Sequence, residues 1–242
     1  MKGGDIEAGT SAAPAAALYP GMAESPALRW ALIRKIYVIL SLQLLLTAAV
    51  AAVVVKVPAI PHFFASSYAG LGLYIFLLIL PFIVLCPLYM YRQKHPLNLL
   101  LLGVFTVAIS FAVGMTCAFT SGKVILEAAI LTTVVVFSLT AYTFWAVKRG
   151  KDFSFLGPFL FASLIMLLVF GFIQILFPLG KLSHMIYGVL AALIFSGYIV
   201  YDTDNIIKRY TYDEYVWAAV SLYLDIINLF MALLTLFSAG DS

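Results

Sequence analysis

Tyr215-Val-Trp-Ala-Ala-Val-Ser-Leu-Tyr-Leu-Asp-Ile-Ile-Asn-Leu-Phe-Met-Ala-Leu-Leu-Thr-Leu-Phe237 is an almost wholly apolar run with one carboxylate near its middle. About 20 apolar residues suffice to cross the hydrocarbon core as a helix, so the run reads as a membrane span. Placing Asp225 at such a depth costs about 2.5–3.5 kcal/mol on insertion scales. A chain keeps such a group only where it is paired, hydrated or useful. The preceding apolar run ends in a second acidic cluster, Tyr201-Asp202-Thr203-Asp204. Acids on two consecutive membrane helices point to a carboxylate pair inside a helical bundle.

The rest of the chain agrees with membrane residence. Of its 242 residues 64% are hydrophobic and 10% charged, and the mean hydropathy is +1.08. A soluble domain of this length cannot hide so much apolar surface. The net charge of +3 is small and its basic residues are scattered, which argues against nucleic acid as a partner. The two cysteines, Cys86 and Cys117, sit in apolar runs and are expected to pack rather than to form a disulfide or a metal site. No phosphate loop, soluble-cofactor motif or zinc constellation is visible. The first hydrophobic run follows Arg34-Lys35 and is expected to act as its own uncleaved insertion signal.

Residues 1–28 form a tail rich in Ala, Gly, Pro and Ser without periodicity, which reads as a disordered cytosolic segment. Residues 29–242 read as a seven-helix transmembrane domain of the all-α class. The expected spans are Ile36–Val55, Tyr68–Met90, Pro96–Phe119, Val124–Val147, Phe155–Phe177, His184–Tyr201 and Tyr215–Phe237. The breaks between them carry proline, glycine or charge.

The tail and the second, fourth and sixth loops hold Lys2, Arg29, Arg34, Lys35, Arg92, Lys94, Lys148, Arg149, Lys151, Lys208 and Arg209. The first, third and fifth loops hold Lys56, Lys123 and Lys181. That asymmetry puts the N-terminus in the cytosol. Asp225 and Asn228 make the seventh segment the most polar, so a re-entrant hairpin is the alternative to a full span there.

Two facing carboxyls in a dry site cannot both ionise cheaply, and such a pair titrates as a unit. In this chain they meet only if the sixth helix runs on past Asp202 or the seventh is displaced. Tyr223 and Asn228 are placed to hydrogen-bond Asp225. Glu127, in the first turn of the fourth helix, is either a favourable helix N-terminal charge or a cation attractor at a pore mouth. Asp204 and Asn228 complete a candidate cation pathway with Glu127. A pair of intramembrane aspartates also raises an aspartyl protease of the presenilin type. The bulky Leu222-Tyr223-Leu224 before Asp225 and the N-terminal position of Pro26-Ala27-Leu28 argue against that chemistry.

Ser221-Leu-Tyr-Leu-Asp-Ile-Ile-Asn-Leu-Phe230 and Phe195-Ser-Gly-Tyr-Ile-Val-Tyr-Asp-Thr-Asp204 resemble the signatures of the Bax-inhibitor/Lifeguard family. Met90-Tyr-Arg-Gln-Lys-His-Pro-Leu-Asn98, Val124-Ile-Leu-Glu-Ala128 and Asp152-Phe-Ser-Phe-Leu156 are similar to further family elements. Leu18-Tyr-Pro-Gly-Met22 and the stretch from Leu28 to Tyr37 resemble its plant Lifeguard branch. The resemblance implies a seven-helix bundle with the last helix at its centre. It also implies a non-enzymatic, pH-sensitive calcium leak of endomembranes (endoplasmic reticulum, Golgi or vacuole) or the plasma membrane that suppresses programmed cell death. By the same resemblance Asp202 and Asp225 are the sensor pair, Arg92 is the basic residue that contacts it, and calcium is a permeant ion rather than a cofactor. Lipid and other membrane cell-death or stress regulators are the implied partners. A non-conducting scaffold for such regulators, acting through the N-terminal tail, is the alternative function.

Overall fold

The computed structural model describes residue 21 and residues 24–241, and these form helices joined by short links. In chain order they are α1 (Pro26–Lys56), α2 (Ala59–Ser66), α3 (Tyr68–Met90), α4 (Leu97–Ala118), α5 (Gly122–Lys148), α6 (Leu156–Leu176), α7 (Lys181–Lys208) and α8 (Tyr215–Asp241). All but α2 are long and apolar enough to cross a membrane. Ser25, Ser67 and Ser121 accept a backbone N–H at the starts of α1, α3 and α5, where a helix leaves donors unpaired. A single 3-10 turn, Tyr212–Glu214, leads into α8 and is fixed by a Thr211/Glu214 capping box.

Three elements differ from the sequence reading. The first span begins ten residues before Ile36, because Pro26 at the first helical turn and the Ser25 cap start the helix beneath the basic residues. The first loop contains α2. Its prolines fall at the N-cap and in the first turn, where no backbone donor is needed, and Phe64 packs edge-on against Phe111 and Tyr74. The sixth span continues past Tyr201 to Lys208. The seventh segment is one continuous helix and not a hairpin.

Contacts across the links define the two ends of the bundle. Arg29 at the start of α1 reaches the carbonyl of Ile207 (2.8 Å), and Lys208 reaches the carbonyl of Lys151 (2.8 Å). Asn98 joins the Arg92 carbonyl (3.0 Å) to the Tyr215 hydroxyl (3.1 Å). The start of α1 and the α3–α4, α5–α6 and α7–α8 links therefore share one end, which also carries most of the basic residues.

Helix α8 is the most enclosed of the seven. It packs on α7, α5, α1 and α4, and Tyr223, Leu222, Val216 and Leu234 are fully buried. By contrast Phe82, Phe137 and Ile175 on α3, α5 and α6 lie mostly exposed, as expected of helices that face hydrocarbon. A polar seam ties α1 to its neighbours: Gln43 donates to Thr106 (3.0 Å), Thr47 shares a hydrogen bond with Tyr223 (2.8 Å), and Ser110 lies 3.0 Å from Thr47. Such interhelical bonds are worth about 0.6 kcal/mol each where measured.

Small residues set the closest approach of α7 to α8. A Cβ on Gly188 would lie 2.9 Å from Leu236 Cβ and 3.0 Å from the Ala232 carbonyl. A Cβ on Gly103 of α4 meets nothing within 4 Å. Gly188→Ala therefore pushes the two helices apart and is expected to destabilise by about 1–3 kcal/mol, the usual penalty for overpacking. Gly103→Ala should be neutral or stabilising. Thermal unfolding of both variants in detergent checks this, and equal melting temperatures would refute it.

Candidate functional site

Helix α7 carries Asp202 and Asp204 two residues apart. At about 100° per residue they point to nearly opposite sides of the helix. Their surroundings differ accordingly.

Asp204 is fully buried, and Lys208 one turn later holds it at 2.6 Å. The same ammonium donates to the Lys151 carbonyl and lies 3.4 Å from Asp152 Oδ1. This side of α7 thus binds the α5–α6 link, and a cation from the chain already neutralises Asp204. Asp204, a candidate for the cation pathway, is thus placed against Lys208.

Asp202 faces α8. Its carboxyl and that of Asp225 lie within hydrogen-bonding reach of each other. The extension of α7 beyond Tyr201 is what permits this, because it keeps Asp202 inside a helix packed along α8. Asp225 is buried, whereas Asp202 keeps some exposure. Asn205 donates to Asp202 Oδ1 (3.3 Å). Asp225 Oδ2 is buried and receives no donor from the protein. Among the described residues the four ion pairs leave both carboxyls out. A proton held between them would satisfy the orphaned oxygen and remove one charge from the dry seam.

Two tyrosines border the pair. Tyr198 lies one turn before Asp202 and is close enough to feel both charges. Tyr210, in the α7–α8 link, does the same, and its hydroxyl is within reach of Ser221 one turn before Asp225. Burial and the nearby carboxylates push the Tyr210 phenol up, so it remains a neutral donor.

The other sequence candidates lie elsewhere. Tyr223 shares its hydroxyl hydrogen bond with Thr47 and Asn228 gives its amide to the Leu224 carbonyl (2.8 Å), so neither of these bonds goes to Asp225. Arg92 stacks on Tyr89, 4.3 Å from the ring centre, and donates to the Tyr89 carbonyl. It lies in the link just past α3, a helix that packs mainly on α2 and α4, while the pair lies in the α7–α8 seam. Among the described residues Arg92 reaches α8 through Tyr89 and Trp217, about two turns from Asp225, and through Asn98 and Tyr215, which lies farther from it. Glu127 is half-exposed on α5 and sits 3.8 Å from Lys123. Cys86 and Cys117 are free.

These features define a multi-helix membrane protein whose most buried seam holds two un-neutralised carboxyls. Residues 29–242 match the family described as inhibitor of apoptosis-promoting Bax1. The chain is 71% identical to Protein LIFEGUARD 2 of Arabidopsis thaliana over 93% of its own length and 94% of that protein. It is 39% identical to Protein lifeguard 4 of Mus musculus, covering 88% and 86% of the two chains. A Golgi anti-apoptotic protein of Vaccinia virus (strain Lister) is 37% identical, with 88% and 87% covered. The chain belongs to the Bax-inhibitor family and is a member of the plant Lifeguard type.

The contrast between the two acids yields a test. Lys208→Met leaves Asp204 buried without its cation, which is expected to cost about 3–5 kcal/mol. Adding Asp204→Asn should restore much of that, and thermal unfolding measures both. A single variant as stable as the parent would show that Lys208 does not neutralise Asp204.

Proposed function

We propose that the chain is a pH-sensitive calcium leak of endomembranes that restrains programmed cell death, with Asp202 and Asp225 as its proton-operated gate. The observation that carries the reading is the buried pair itself, two carboxyls facing each other with an orphaned oxygen and no paired cation. Such a pair has two arrangements, one with a shared proton and one without, and pH biases which is populated. With the proton the seam is closed by a carboxyl–carboxylate hydrogen bond. Without it, two like charges in a site of low dielectric repel, and α7 and α8 are driven apart. No covalent chemistry is required, so the proposal is a conduit and not an enzyme.

Membership in a family named for inhibiting Bax-promoted apoptosis supports the role in cell death. The printed name of the viral relative, a Golgi anti-apoptotic protein, supports an endomembrane site. The basic end of the bundle supports a cytosolic N-terminus. A second reading, a non-conducting regulator that binds other membrane death or stress proteins, draws support from the same names, which speak of apoptosis and not of transport. The tail offered as its contact surface lies mostly outside the described residues.

Calcium flux through purified protein in liposomes, measured against pH, separates the two readings. Asp225→Asn keeps the shape and removes ionisation, so it should flatten the pH dependence. Asp202→Asn should do the same, and the double variant should add little because the two act as one unit. Additive effects would mean two separate sites. No flux from the parent protein would favour the regulator.

Glu127→Gln, on an exposed pair, should lower calcium entry by about twofold at low ionic strength and leave it unchanged at high salt. Complete loss of flux with the fold intact would make Glu127 central to permeation.

A further inference from the structure

Three residues, Arg209, Tyr210 and Thr211, join α7 to the turn that opens α8. A connection so short fixes how far α7 can slide along α8. It also leaves backbone groups at both helix ends in need of partners. One residue pair from the start of the chain supplies them. Arg29 donates through Nε to the Ile207 carbonyl (2.8 Å) and through Nη1 to the Tyr210 carbonyl. Glu24 accepts from Arg29 Nη1 (3.3 Å) through one carboxylate oxygen. Through the other it accepts the backbone N–H of Tyr212 (3.0 Å). Both side chains are largely buried, 11% and 17% exposed. The guanidinium thus holds the end of α7, the carboxylate holds the beginning of α8, and the ion pair joins them.

We infer that Glu24 and Arg29 are positioning residues for the Asp202–Asp225 pair, setting through Tyr210 and the α7–α8 link how closely the two carboxyls approach. The inference rests on the reading of that pair as a gate. Its route is short. Arg29 holds the Tyr210 backbone, the Tyr210 hydroxyl reaches Ser221, and Ser221 lies one turn before Asp225 on the same helix. The groups recorded around the pair are Tyr198 and Asn205 of α7 and Tyr210 of the link, with Glu214 on the far side of Tyr210. Among the described residues, no charged side chain of α1, α4 or α5 is recorded against either carboxyl. The link also carries Arg209, which makes contacts of its own, and movement of the link reaches the pair through Tyr210 and Ser221.

The sequence reading placed Glu24 in a tail outside the bundle. The structure makes it a part of the bundle, and removal of everything before Arg29 takes away half of the clamp.

The test uses the full chain, reconstituted in phosphatidylcholine liposomes, with two readouts. Infrared titration of the protonated-carboxyl band follows the pair directly, and calcium flux against pH follows the gate. Glu24→Gln removes the charge of the clamp, and Arg29→Lys removes its fork of donors. Each should move the infrared midpoint by about half a pH unit or more while the maximal flux stays within about twofold. In an Asp225→Asn background Glu24→Gln should have no further effect on the band. Tyr210→Phe, which leaves every backbone contact in place, should also move the midpoint, and it serves if the clamp variants fold poorly. Unmoved midpoints in these variants, with a normal titration in the parent, would overturn the clamp. So would a shift that persists undiminished in the Asp225→Asn background. A shifted band in a parent protein that conducts no calcium would leave the clamp standing and remove the leak.

Discussion

The seam between α7 and α8 is the constraint to which the other helices conform. Water is absent from the hydrocarbon core, so polar groups there must find partners within the protein or remain unsatisfied. Most of the bundle meets this demand. Thr106, Thr132, Thr143 and Ser163 return their hydroxyls to carbonyls one turn back, and Gln43, Thr47 and Tyr223 bond across helices. The exception of consequence is Asp225, an acid on the most enclosed helix with an oxygen that no donor reaches. Gly188 allows α7 to press against α8, and the continuation of α7 to Lys208 keeps Asp202 beside the exception.

Much of this was legible from residue pattern alone. Seven apolar runs separated by charge, proline or glycine gave the spans, and in α3, α4 and α6 the boundaries agree to within a residue. The failures are physical. Pro26–Lys35 contains Arg29, Arg34 and Lys35, which read as a polar flank, yet apolar Leu32 and Ile33 bury one face of that same segment as helix. Residues 202–208 contain three charges in seven positions, and hydropathy ends the span before them. Only the pairing of Asp204 with Lys208 at helical spacing hinted that the helix went on. Prolines in the first loop concealed α2 because a proline in a first turn looks no different in sequence from one in a loop.

The candidate site was half legible. Two acids on neighbouring spans could be named, but their meeting depended on where α7 ended. The surroundings of Arg92 were not legible for a different reason. Sequence order gives no information on which helices touch, and the end of α3 meets α8 at Trp217, about two turns from Asp225. Glu24 and Tyr210 lie outside every quoted motif, and Ser221 opens the Ser221–Phe230 signature without a sign of what it touches. Their association joins residues almost 200 positions apart, and the Thr211-x-x-Glu214 capping box was the single local sign that the link is a built element.

Asp202 and Asp204 show how one helix can carry two acids in opposite surroundings. Two residues of separation turn them to opposite faces. On one face the chain places a lysine at helical spacing, adds a carbonyl acceptor from another link, and so gives Asp204 a fixed partner. On the other face it places a second carboxylate, and none of the four ion pairs among the described residues includes Asp202 or Asp225. Replacing that second acid by an apolar residue would relieve the buried charge at once, since buried ionic groups are seldom needed for stability alone. Keeping both acids, with tyrosines at the border, is what the proposed gate requires, since a pair without a partner cation is one whose charge a proton can change. The acid held by lysine ties α7 to the α5–α6 link, and the facing pair is left as the part of the helix that the proposal makes responsive.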